Sequence, residues 1–245
     1  MQITDLKLAV QIRVGTSGWF YSWNPERTLD WYEANSGLNA VELNASFYRF
    51  PFPNQIKSWV KKGASLRWAV KVSRLVTHVH QFHAAALEVW HRFADLFAPL
   101  DRQIDFYLFQ LPPALTPRSR TRIEEFIRKA GLGSRLALEF RNPAWYTVET
   151  GKWAQELRIT LVSVDAPESG MLPPTIFCTS GAVYLRLHGR TGWYQHNYTP
   201  AELREIAGRI KAAAPNAVYV FFNNDQHMLA NARQMLSILK RHARD

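Results

Sequence analysis

Cysteine is nearly absent from this chain: Cys178 is its one thiol, so no internal disulfide can form. None is needed, because a chain of 245 residues buries roughly three quarters of the surface it exposes when unfolded. The lone thiol fits a reducing compartment. Long apolar runs are missing as well. No stretch reaches the eighteen residues that a membrane-spanning helix requires. The opening segment Met1–Val10 carries Asp5 and Lys7 inside its only apolar stretch, without the basic start and long apolar core of an export signal. The expected location is the cytoplasm, with no membrane partner. No Gly-x-Gly-x-x-Gly fingerprint follows the first apolar run, which argues against a dinucleotide-binding sheet. Low-complexity tracts and linkers are absent too, so residues 1–245 read as one domain.

What is present describes an ordinary globular protein, 47% apolar and 20% charged. Lysine and arginine outnumber the acids by ten. That excess suits either a phosphate-rich partner, including nucleic acid, or plain solubility. No basic run exceeds three residues, so a dedicated polyanion tract is not indicated.

Short apolar runs recur, each followed by turn residues and then a helical pattern. The expected strands are 12–16, 40–44, 68–72, 106–110, 136–140, 160–164, 183–188 and 217–223. Several are apolar throughout, as parallel strands buried on both faces are. Helices are expected over 28–36, stopped by Gly37, over 118–130, opened by Pro117 and closed by Gly131, and over 201–214, opened by Pro200. The longest helical patterns cover 83–98 and 228–242. Eight strand–helix units of ~30 residues each, in a chain near the ~250 typical of the class, predict a closed (β/α)8 TIM barrel.

In that architecture the chemistry sits at the carboxyl ends of the strands. The last polar residues there are Glu42, Lys71, Gln110, Glu139, Asp165, His188 and Asn223. Burying a charge without a partner is costly, so each needs a reason. Glu42 and Lys71 end adjacent strands and are placed to pair, either as a structural closure or as an acid/base couple. Glu139 and Arg141 lie two apart, as do Arg186 and His188, so each pair shares a strand face. Glu139 is a candidate base, Arg141 and Arg186 are candidate phosphate or carboxylate ligands, and His188 a candidate acid/base. Asn223, Asn224 and Asp225 could grip a hydroxyl or a phosphate, or cap the next helix.

Glu42, Glu139, Asp165 and His188 are ligand types a hard divalent ion accepts. Three carboxylates against Lys71, Arg141 and Arg186 already balance, however, so neither a metal nor another cofactor is required. His78, His80 and His83 match no compact zinc spacing. The first loop, Gly15-Thr-Ser-Gly-Trp19-Phe-Tyr-Ser-Trp23, offers Trp19, Tyr21 and Trp23 for stacking on a sugar or base, or as a lid on the barrel. Gly15 and Gly18 would let the backbone approach a ligand. Trp145, Trp193, Tyr194 and Tyr198 could extend one aromatic rim.

Together these segments resemble the domain-of-unknown-function 72 (DUF72) family, the YecE-like barrels. The landmarks are Gly15-Thr-Ser-Gly-Trp19 with Tyr21 and Trp23, Val41-Glu-Leu-Asn44 with Phe47-Tyr48, Lys71 and Thr77-His78. They continue with Gln110-Leu-Pro-Pro113, Leu138-Glu-Phe-Arg141 with Trp145, Tyr184-x-Arg186-x-His188-Gly189, and Phe222-Asn-Asn224 with Asn231-Ala232. The match runs from about 14 to 232. The resemblance implies a TIM barrel with its motifs gathered at one end, and it adds Asn44, Tyr48, His78 and Gln110 to the residues expected to bind substrate. Val72-Ser73 departs from the family's common Ala-Pro, which bears on that loop's shape. The leading functional expectation is a hydrolase on a phosphate-bearing or nucleic-acid-like substrate, with Glu42 and Glu139 as acid/base groups. The alternatives are a lyase or isomerase on a small sugar or sugar phosphate through Lys71, and a non-catalytic binding module.

Overall fold

A computed structural model describes residues 10–243; the expectation of no export signal falls on Met1–Val10, of which residues 1–9 lie outside the described residues. Eight parallel strands follow one another around a closed barrel, with β8 paired back onto β1. They are β1 (Gln11–Thr16), β2 (Ala40–Leu43), β3 (Arg67–Lys71), β4 (Ile104–Gln110), β5 (Leu136–Glu139), β6 (Thr160–Asp165), β7 (Ala182–Leu187) and β8 (Ala217–Phe222). The outer layer is α1 (Leu29–Asn35), α2 (Pro53–Lys62), α3 (Ala84–Phe97), α4 (Arg120–Ala130), α5 (Val148–Glu156), α6 (Pro200–Ala212) and α7 (Met228–His242). The barrel therefore has eight strands and, among the described residues, seven α-helices. Where the eighth would stand, the β6–β7 connection holds only a 3-10 turn at Glu168–Gly170.

Period-two alternation divides each strand between two cores. Ala40, Ala69, Phe106, Ala137, Val164, Tyr184 and Phe221 pack together inside the ring. Their neighbours Val41, Val70, Leu138, Leu185 and Val220 join the helices in the larger outer core. Helix ends follow local chemistry. Gly131 stops α4 in the left-handed region, at φ 64°, where a side chain would be strained. Thr199 caps α6 in a reciprocal capping box with Glu202. At Gly15 the close approach is to the neighbouring strand. Any Cβ there would lie 2.2 Å from the Ala40 carbonyl oxygen, so glycine is what lets β1 sit against β2. Among the described residues, no helix is long and apolar enough to cross a membrane.

Candidate active site

The inward alternation places Glu42, Lys71, Gln110, Glu139 and Arg186 at the carboxyl end of the ring, with His188 and Asn223 just beyond their strands. Arg186 is the hub. It is fully buried and spans the mouth: Nε and Nη2 donate to Glu42, at 2.9 Å and 2.7 Å, and Nη1 donates to Glu139 Oε2 at 2.6 Å. Glu42 also accepts the hydroxyls of Ser17 and Tyr184, each at 2.6 Å. Glu139 Oε1 accepts Arg141 Nε at 2.5 Å and Gln110 Nε2 at 2.9 Å. Burial alone would raise the Glu139 pKa, but Arg141 and Arg186 outweigh it and hold the carboxyl well below the usual range. Arg186 is itself pushed upward, its two carboxylates overcoming the cost of burial.

His188 is buried behind Arg141, whose Nη2 donates to its Nε2 at 3.2 Å, while the Asn223 amide lies 3.2 Å from Nδ1. Burial, then Arg141 and Arg186, pushes the ring well below its ordinary pKa, so it stays neutral at pH 7. The Arg141 guanidinium lies over Trp193, 5.1 Å from the ring centroid.

Lys71 is the exception in this set. The ion pair anticipated with Glu42 does not form, because Arg186, Tyr184 and Ser17 already occupy that carboxylate. Among the described residues no carboxylate lies within 4.0 Å of Nζ. The ammonium rests instead over the Phe47 ring, 4.1 Å from its centroid, and the residue is only 8% exposed. Burial, followed by the field of Arg186, lowers its pKa to about 7. His78 belongs to the same side of the mouth, in a π-helical turn at Leu75–Val79 and edge-on to Phe47 at 5.1 Å. Burial and then Lys71 push it down to about 4. That turn occupies the loop where Val72-Ser73 departs from the family pattern.

Other expected site residues divide between the mouth and the scaffold. Asn44 touches Arg186 Nη2 at 3.4 Å. Tyr21 stacks on Trp23 at 5.7 Å, and burial, then Asp225 and Glu42, raises its pKa to about 12. Tyr48 is exposed, edge-on to Phe47. Trp19, expected to stack on substrate or to cover the mouth, packs instead against Trp59 of α2 and the outward-facing Trp68, as part of the outer core between helix and strand.

Four further expectations are corrected. Trp145 is buried between Phe140 and Trp153, with its indole N–H on the Leu115 carbonyl; it is core, not rim. Asn224 turns away from the mouth to donate to the His196 carbonyl and to Asn231. Tyr198 is buried with its hydroxyl on Asp165. Asp165 itself points outward, since its neighbour Val164 faces in, and it pairs with Arg190. Among the described residues no three His, Cys, Asp or Glu side chains are grouped as metal ligands. His80 ends the π turn and His83 precedes α3. Ser17 and Tyr184 were not expected as site residues. Tyr184 sits two before Arg186, so period two could have exposed it. Tyr184→Phe is expected to cost about 1.5–3 kcal/mol, the range for a bond to a charged group, read as a lower urea midpoint.

The fold and this mouth define a TIM-barrel protein with a buried carboxylate–arginine cluster at the carboxyl end of its strands. The chain belongs to the DUF72 family, described as proteins of unknown function, whose model matches residues 13–245. It is similar to a DUF72 family protein of known structure from Thermotoga maritima, at 25% identity over 96% of this chain and 100% of that one, TM-score 0.80. Another from Enterococcus faecalis is 23% identical over 95% and 99% of the two chains, TM-score 0.81. A sugar phosphate isomerase/epimerase from Parabacteroides distasonis shares the fold at 12% identity over 99% of each chain, TM-score 0.53. No curated protein matches this chain.

Proposed function

We propose that the chain is an enzyme acting on a small sugar or sugar phosphate at the barrel mouth, with the Lys71 amine attacking the substrate carbonyl. One observation carries this reading: Lys71 is nearly buried beside two carboxylates, yet both are consumed by arginines and neither reaches Nζ. A lysine lowered to about 7 is half neutral at pH 7, roughly a thousandfold more free amine than an ordinary lysine offers. A neutral, desolvated amine is what imine formation requires. Nζ would attack the carbonyl carbon, and the neutral carbinolamine, taking one proton from solvent onto its hydroxyl, would lose water to leave a cationic iminium.

That iminium would be an unpaired positive charge, since Glu42 and Glu139 balance Arg186 and Arg141. An anionic group on the substrate, such as a phosphate, would offset it, in keeping with the net charge of +10. The sugar phosphate isomerase/epimerase named above offers support from fold alone. The hydrolytic reading is less favoured. It asks Glu42 or Glu139 for a proton, whereas Glu139 is held ionised and both are fully occupied in holding Arg186.

Borohydride reduction in the presence of triose, pentose and hexose phosphates is the test. A stable adduct on the Lys71 peptide is expected, forming more readily as pH rises through about 7 and lost in Lys71→Ala and Lys71→Arg. Absence of any Lys71 adduct across the panel, with the native chain shown to be folded, overturns the reading.

A further inference from the structure

The loop after β7 carries a second constellation, separate from the carboxylate–arginine cluster. Thr191 Oγ1 lies 3.1 Å from His196 Nδ1, and His196 Nε2 lies 3.1 Å from Glu202 Oε1. Glu202 Oε2 accepts the Thr199 backbone N–H at 2.7 Å and its hydroxyl at 2.9 Å, so the carboxylate is fixed from both sides. Burial would raise its pKa, but the bonds from Thr199 and His196 outweigh that and keep it below the usual range. An ionised Glu202 takes the N–H of Nε2, which leaves the Nδ1 lone pair facing the Thr191 hydroxyl. The sequence of roles is hydroxyl, base and orienting carboxylate.

The loop is built to hold that line. Gly189 has φ +112°, and a Cβ there would lie 2.6 Å from the Gly192 oxygen and 2.8 Å from His196 Cβ. Only glycine lets the chain fold this tightly. His196 is buried, edge-on to Tyr198 at 4.6 Å, and its carbonyl accepts Asn224 Nδ2 at 2.7 Å. Tying the loop to α6 would need only the His196–Glu202 bond. The added hydroxyl belongs to an exposed residue, and it borders a cleft of about 670 Å³ whose walls include Arg190, Arg209 and Ser169. The cleft lies where the β6–β7 connection lacks its helix, and its volume falls within the range of small-molecule sites.

We propose that Thr191, His196 and Glu202 form a nucleophilic site for small carboxylic esters. Thr191 Oγ1 attacks the ester carbonyl carbon as its proton passes to His196 Nδ1. The C–O bond to the alcohol then breaks, and Nδ1 returns the proton to the departing oxygen. Water, deprotonated by the same nitrogen, hydrolyses the acyl-threonine, and Oγ1 recovers its proton. The sum is ester plus water to acid plus alcohol.

The probe is p-nitrophenyl acetate with the full chain, followed by nitrophenolate release and by peptide mapping of acetyl groups. Acetyl on the Thr191 peptide is expected. Thr191→Val and His196→Gln should each lower release by about 100-fold or more, the scale of a lost general base, and Thr191→Ser should restore it. Because Thr191 is exposed, its valine variant should keep the native urea midpoint, which separates lost chemistry from lost folding. Equal release from Thr191→Val overturns the proposal. Acetyl on Lys71 alone does so too, while leaving the amine reading of the mouth intact.

Discussion

Replacing Arg186 with methionine is expected to remove about 3–5 kcal/mol of folding stability, the cost of stripping one partner from a buried ion pair. Among the described residues the guanidinium is the only cation bonded to Glu42 and one of two bonded to Glu139, and both carboxylates are fully buried. Without it Glu42 keeps only the neutral donors Ser17 and Tyr184. One carboxyl would have to take up a proton for the barrel end to close. Urea unfolding at pH 7 reads the loss as a lower midpoint at unchanged slope. Adding Glu42→Gln and Glu139→Gln to the same chain removes the stranded charges and should recover much of it. A single variant unfolding at the native midpoint would show that Arg186 does not hold the carboxylates.

Lys71→Met is expected to act in the opposite direction, stabilising the fold near neutrality. The folded pKa of about 7 lies below the ~10.4 of an unfolded lysine. Between those values the unfolded chain binds more protons, so native stability rises with pH across that window. At and below pH 7 the native chain bears the full penalty of burying the ammonium, on the order of 4 kcal/mol from the width of the window. Methionine has similar length and no charge, and it packs on Phe47 without that penalty. Urea midpoints of both proteins from pH 6.5 to 9.5 provide the test. Other titrating groups are common to both chains, so the difference isolates Lys71 and should shrink steadily as pH rises. Parallel profiles would mean the amine keeps an ordinary pKa.

The eight strands were legible to within about two residues, and α7 coincides with the segment expected, 228–242. Apolar runs, period two and helix-stopping glycines are properties of neighbouring residues, so short windows carry them. The same alternation brought out Glu42, Lys71, Gln110, Glu139, Arg186 and His188 as one set. It misled at Asp165, where the strand ends one residue beyond the inward Val164 and the side chain falls on the other face. Trp145 was misassigned because an aromatic ring carries no local mark of the surface it will stack on. The missing helix between β6 and β7 went unnoticed, since eight strand-like runs at even spacing read alike with or without a helix in each interval.

Short-range pattern was thus enough for the barrel, for its family and for most of the charged residues that gather at its mouth. It could not say which of them would be partners. Glu42, Lys71, Glu139 and Arg186 are as many as 144 positions apart, and a guanidinium binds whichever oxygens the closed ring brings to its fork. Once both carboxylates are taken, Lys71 is left a buried amine without a counter-ion among the described residues. That outcome depends on distances across the barrel, which no stretch of neighbouring residues encodes.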